Sequence, residues 1–162
     1  IRAVAGLGAA VVNVHASGGP AMLDAARDAA ESVGGTSRPL VIAVTVLTSM
    51  DDGDLSAVGQ TPPAEEQVVR LAQLTQNHGL DGVVCSPAEI EPIRAACGPE
   101  FKLIVPGIRP DWAASGDQKR ITTPRQARDR GADMLVIGRP ITGADDPAAA
   151  AARIAEELGV SA

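Results

Sequence analysis

Short, almost unbroken apolar runs alternate along this chain with longer stretches in which apolar residues recur every three or four positions. The runs fall at 9–16 (AAVVNVHA), 40–47 (LVIAVTVL), 82–85 (GVVC), 102–105 (KLIV) and 134–137 (MLVI). Continuous hydrophobicity, as opposed to alternation, marks strands covered on both faces, which is the condition of a parallel sheet. The periodic stretches predict helices over 20–33, 64–78, 88–97, 124–130 and 148–158, with a short helical turn near 55–58. Punctuation agrees with these assignments. Pro20, Pro87, Pro124 and Pro147 sit at helix starts, where a missing N–H costs nothing, and Gly34, Gly79 and Gly131 follow helix ends.

A weak internal repeat runs through this pattern. Gly8-Ala-Ala-Val-Val-Asn-Val-His, Gly79-Leu-Asp-Gly-Val-Val-Cys-Ser and Gly131-Ala-Asp-Met-Leu-Val-Ile-Gly superimpose. Each is a helix-ending glycine, a short turn and a buried strand with a polar residue or glycine at its far end. A βα unit used repeatedly makes the strands parallel. No GxGxxG follows the first strand and no GxxxxGK[ST] occurs, so the doubly wound nucleotide folds lose support. Five units ending in functional-looking residues fit the later part of a (βα)8 TIM barrel, whose sites lie at the C-terminal strand ends and whose phosphate often sits at the last two strands. The chain opens on Ile1-Arg-Ala-Val-Ala-Gly without a Met or an N-cap, which reads as the tail of a helix and a start in mid-domain.

Composition narrows the partners. The 162 residues are 45% hydrophobic with one Phe, one Trp and no Tyr, so the core is aliphatic. A net charge of −6 argues against nucleic acid and requires any anion site to be a local cluster of cations. No apolar run reaches membrane-spanning length, and no signal peptide is visible. Cys85 and Cys97 form neither a disulfide framework nor a metal motif. They read as small core residues of a reducing, cytoplasmic compartment.

The candidate chemistry lies where two apolar strands end in a glycine with an arginine close behind: Gly107 with Arg109, and Gly138 with Arg139. Glycine admits close backbone approach to a phosphate, and arginine supplies a forked, charge-assisted grip. Arg139 reads as a phosphate contact ahead of a structural salt bridge, whereas Arg109 is as readily a brace for its loop. The segment 110–123 has a lid's composition, with Ser115 and Gly116 to bend and Trp112 to cover. Trp112 reads equally as a contact surface. His15 at a strand end is expected to be a hydrogen-bonded structural residue, and His78 a helix C-cap favoured by the dipole. Asp51, Asp52 and Asp54 lack the spacing of a calcium loop and are expected to be a solvated acidic loop. Asp81 and Asp133 fall in the turns at the opposite, stability end of a barrel.

Six stretches in order, NVHASGG (13–19), VTVLTSM (44–50), DGVVCS (81–86), PGIRP (106–110), GDQKR (116–120) and VIGRPIT (136–142), resemble bacterial orotidine 5′-phosphate decarboxylase over essentially the whole chain. The resemblance implies the C-terminal five βα units of a (βα)8 TIM barrel, one domain over 1–162 without the first three units. It implies decarboxylation of orotidine 5′-phosphate to UMP without metal or organic cofactor, in a full-length homodimer. By motif position it assigns substrate binding to Thr48, Arg109, Gln118, Gly138 and Arg139, with Gln118 and Arg139 on the phosphate. The family's catalytic Asp-x-Lys-x-x-Asp run does not occur in these residues, so no catalytic residue is assigned here. The chain by itself is expected to be inactive and to leave open sheet edges. Two other readings remain: a sugar-phosphate aldolase or synthase barrel, and a non-catalytic phosphate-binding half-barrel.

Overall fold

The computed structural model describes residues 1–113 and 122–160. After a short helix α1 (Arg2–Ala5), the chain runs β1 (Val11–His15), α2 (Pro20–Glu31), β2 (Leu40–Val44), α3 (Asp52–Ala57), α4 (Ala64–Asn77), β3 (Gly82–Val84), α5 (Ile90–Cys97), β4 (Lys102–Pro106), α6 (Pro124–Asp129), β5 (Met134–Val136), α7 (Arg139–Thr142) and α8 (Pro147–Glu157). The strands form one parallel sheet in the order β1-β2-β3-β4-β5. Sequential order without a reversal is the winding of a barrel wall, since a doubly wound sheet must switch direction.

The ladder register sorts each strand into two faces. Val14, Val41, Ala43, Val83, Leu103, Val105 and Leu135 pack into the core cluster with Leu23, Ala26 and Ala30 of α2, Val68, Leu71 and Ala72 of α4, and Ile90 and Ile93 of α5. Fully burying one such side chain stabilises by about 1.5–3 kcal/mol. The alternate residues form the other face. Ile42 and Ile104 at its centre are buried, while Asn13 and His15 on β1 and Met134 and Val136 on β5 are exposed.

The helix starts follow the expected chemistry. Thr123 and Gln126 close a capping box on α6, Asp146 accepts from the Ala149 N–H, and Ser86 with Glu89 forms the same reciprocal pair ahead of α5. The acidic loop is different from its expected form. Asp51 and Asp54 cap α3 reciprocally, and Asp52 accepts from the Ala64 N–H at the start of α4, so two of the three carboxylates are structural caps and the third ties two helices. The helix there begins at Asp52, ahead of the expected 55, because those caps supply acceptors for its free N–H groups. The run 40–47 overstates β2. After Val44 the Thr45 hydroxyl donates to the Val84 carbonyl, Val46 turns into the core and Leu47 emerges into solvent.

Asp81 and Asp133 carry a repeated device at the N-terminal strand ends. Asp81 accepts from the Val41 N–H at 2.6 Å and from Arg38, and its own N–H donates to the Val41 carbonyl. Asp133 accepts from the Leu103 N–H at 2.8 Å, from Arg94 and from Lys102, and its N–H donates to the Leu103 carbonyl. Each carboxylate thereby fixes the start of its strand against the one before. Burial raises the Asp133 carboxyl, but the Leu103 N–H with Arg94 and Lys102 outweighs it and holds the group below its ordinary value. A carboxyl lowered in the folded state contributes stability above its unfolded pKa, and that contribution is lost as pH falls through the folded value. Asp133→Asn is therefore expected to lose about 1–2 kcal/mol at pH 7. In urea titrations the gap from wild type should close as pH drops below the carboxylate range. A gap unchanged at pH 3 would count against this assignment.

Candidate functional site

At the opposite end of the sheet, Gly107 leaves β4 with a φ of 79°, a left-handed conformation that favours glycine. The turn sends Ile108 into a parallel bridge with Thr122, and the Arg109 N–H donates to the Thr122 carbonyl at 3.1 Å. The outgoing and returning chain are thus tied together just before α6. Ile108 and Pro110 are buried around Arg109, which is itself only 6% exposed. One strand over, Gly138 leads directly into α7. Its carbonyl accepts from the Ile141 N–H at 2.8 Å, and the Arg139 carbonyl accepts from the Gly143 N–H. A Cβ built on Gly138 would meet nothing within 4 Å, so the backbone there borders open space.

These two strand ends enclose one cavity of about 350 Å³, lined by Arg109, Trp112, Ala113, Arg139, Pro140, Gly143 and Ala144. Arg109 and Arg139 come together as the glycine-arginine spacing suggests. Arg109 forms a buried wall and Arg139 an exposed one. Two guanidiniums thus line one small cavity in a chain whose net charge is −6. The helix α7 and the Gly143-Ala144 turn are walls that sequence pattern missed, whereas Trp112 is the residue expected to be a cover or a contact. α7 is a single turn of helix opened by Arg139-Pro140, too short to show a hydrophobic period.

The other candidates are placed differently. Thr48 lies at the same end of the sheet, exposed in the turn after β2, and is not among the residues lining the cavity. Gln118, with most of the segment 110–123, lies outside the described residues. His15 ends β1 exposed, and no hydrogen bond of its ring occurs among the described residues, contrary to the structural histidine expected. His78 is the C-cap of α4, and its ring Nδ1 also pairs with Asp24 of α2 at 2.9 Å, with the His78 carbonyl accepting from Arg27. That pairing with His78 holds the Asp24 carboxyl below its usual value. Burial pushes the Cys85 thiol up to about 12, which suits a core residue and not a nucleophile. Glu89 near the end of β3 is also raised by burial, against the lowering effect of its hydrogen bonds from Ser86. No helix among the described residues is long and apolar enough to cross a membrane.

Comparison with known proteins places this geometry. Residues 1–154 match the model of the orotidine 5′-phosphate decarboxylase / HUMPS family. The orotidine 5′-phosphate decarboxylase of Paramagnetospirillum magneticum is 56% identical over 99% of the chain, and that of Rhodospirillum rubrum is 55% identical over 98%. The chain spans 69% and 65% of those two relatives. The crystal structure of orotidine 5′-phosphate decarboxylase from Lactobacillus acidophilus superimposes with a TM-score of 0.84 at 37% identity, over 98% of this chain and 67% of that one. The five-stranded sheet is thus the wall of a partial barrel.

Proposed function

Because this chain belongs to the orotidine 5′-phosphate decarboxylase / HUMPS family, we propose that it carries the substrate-binding part of orotidine 5′-phosphate decarboxylation to UMP. The observation that supports this most is the cavity in which Arg109 and Arg139, from adjacent strand ends, face one space. A phosphate held there is remote from the carbon that loses CO2. Binding energy gained at a remote anion can be used to orient the ring and offset its strain. Thr48, at the same end of the sheet, reaches the pyrimidine, and Gln118 joins Arg139 on the phosphate. Gly138 leaves room for the phosphate oxygens beside its backbone.

The chemistry needs a group that stabilises a carbanion-like centre and then returns a proton. The family's Asp-x-Lys-x-x-Asp run supplies it, and these 162 residues do not contain that run. The chain by itself therefore binds nucleotide and does not turn it over. The active protein is a homodimer of longer chains in the cytoplasm, with no metal or organic cofactor.

A calorimetric titration with UMP, uridine and ribose 5-phosphate tests the binding half of this proposal. UMP is expected to bind more tightly than either partial ligand. Equal or tighter binding of ribose 5-phosphate would favour a sugar-phosphate enzyme instead. A CO2-release assay on the same preparation tests the other half, and turnover of orotidine 5′-phosphate would overturn the claim that the chain is inactive alone.

A further inference from the structure

Trp112 forms one wall of the arginine-lined cavity, and it is held from behind. The Arg153 guanidinium lies 4.6 Å from the centroid of its ring. Arg153 does not line the cavity itself. It projects from α8, whose register is fixed by Ala150 and Ile154 in buried positions and by the Asp146 cap. Trp112 stands in a short turn in which the Ala113 N–H donates to the Pro110 carbonyl, and its neighbour Asp111 is exposed. The Trp112 ring is half-buried. A guanidinium is planar and weakly hydrated, and it stacks on an aromatic face as an ammonium does not.

We propose that Arg153 is a positioning residue: from α8 it holds the Trp112 indole as a wall of the anion cavity and so sets the affinity for phosphate. The inference rests on the phosphate reading of that cavity for its second half only. The first half, that Arg153 fixes the ring, stands on the stack alone.

The chain has one tryptophan and no tyrosine, so fluorescence excited at the indole edge reports this wall and nothing else. In the unliganded protein, Arg153→Ala is expected to raise the acrylamide quenching of Trp112 about two- to fivefold, the size of effect an exposed cation–π contact can exert. Arg153→Lys should restore part of it. The same Arg153→Ala protein should bind inorganic phosphate and UMP about two- to fivefold more weakly, with its far-ultraviolet melting midpoint close to wild type. Trp112→Ala should weaken phosphate binding by a similar factor, and adding Arg153→Ala to it should weaken binding no further. Quenching identical in wild type and Arg153→Ala overturns the proposal. So does altered quenching with unaltered phosphate affinity, which would leave Arg153 a surface contact. If wild type binds neither phosphate nor UMP, the phosphate reading of the cavity fails, and the quenching comparison still decides whether Arg153 holds the ring.

Discussion

Gly82→Ala is expected to destabilise the protein by about 3–5 kcal/mol, among the largest effects of any single methyl group in this chain. Gly82 opens β3, the central strand, and pairs in register with Ile42 on one side and Lys102 on the other. A Cβ at this position would lie 2.1 Å from the Lys102 carbonyl oxygen and 2.7 Å from its Cβ. The obstacle is backbone, so no side-chain rotation relieves it. The strands must part by most of an ångström, which weakens the Lys102 N–H to Asp81 carbonyl bond beside it. Asp81 is also the residue that secures β2, so the disturbance spreads to both neighbours. Gly6→Ala is the control. Gly6 has a φ of −65°, and its added Cβ would come no closer than 3.7 Å to the Ala3 carbonyl oxygen. Its effect should stay within about 0.5 kcal/mol. Urea unfolding of the two variants against wild type decides the matter, and a Gly82→Ala midpoint equal to that of Gly6→Ala would refute the steric argument.

Gly82 also shows how far the sequence could be read. The repeat was legible because its parts are local. Gly8, Gly79 and Gly131 end their helices, and all three have positive φ. Asp81 and Asp133 could be assigned to the stability end because their place in the repeat was clear. Gly82, by contrast, aligns with Val11 and Met134 in the other copies and looked like a variable strand position. Its reason is a close approach of the neighbouring strand, which no pattern within one segment records. The same distinction applies at the site. Glycine-arginine spacing brought Arg109 and Arg139 into view because strand ends of a parallel sheet share one rim. Trp112 was seen as a cover or a contact, but its partner Arg153 lies 41 positions on, in a helix whose sequence shows only alanine-rich amphipathicity. The lack of a ring partner for His15 among the described residues, and the capping roles of Asp51, Asp52 and Asp54, which are exposed as expected, escape the sequence for a related cause. Whether a polar side chain is capped, paired or open depends on what the chain brings beside it.

Removing the two arginines should separate binding from architecture. Arg139→Ala is expected to lower UMP affinity about 10- to 100-fold, the loss of one charge-assisted hydrogen bond at about 1.5–3 kcal/mol. Arg139 is exposed, and surface contacts of an arginine contribute little, about 0–1 kcal/mol, so the melting midpoint should move by no more than a few degrees. Arg109→Ala should lower UMP affinity by a similar factor and also lower the midpoint. Arg109 is 6% exposed and sits between the buried Ile108 and Pro110, on the strand end tied to Thr122. Its removal leaves a void and orphans whatever it satisfies. Uridine makes the distinction sharp. A nucleoside has no phosphate, so its affinity should be nearly the same for wild type and Arg139→Ala. Calorimetry with UMP and uridine on wild type and Arg139→Ala therefore yields four numbers with a required pattern. If Arg139→Ala weakens uridine as much as UMP, Arg139 shapes the site without touching the phosphate. If it weakens neither, the anion is bound elsewhere, and the cavity between the two strand ends is not the nucleotide's phosphate site.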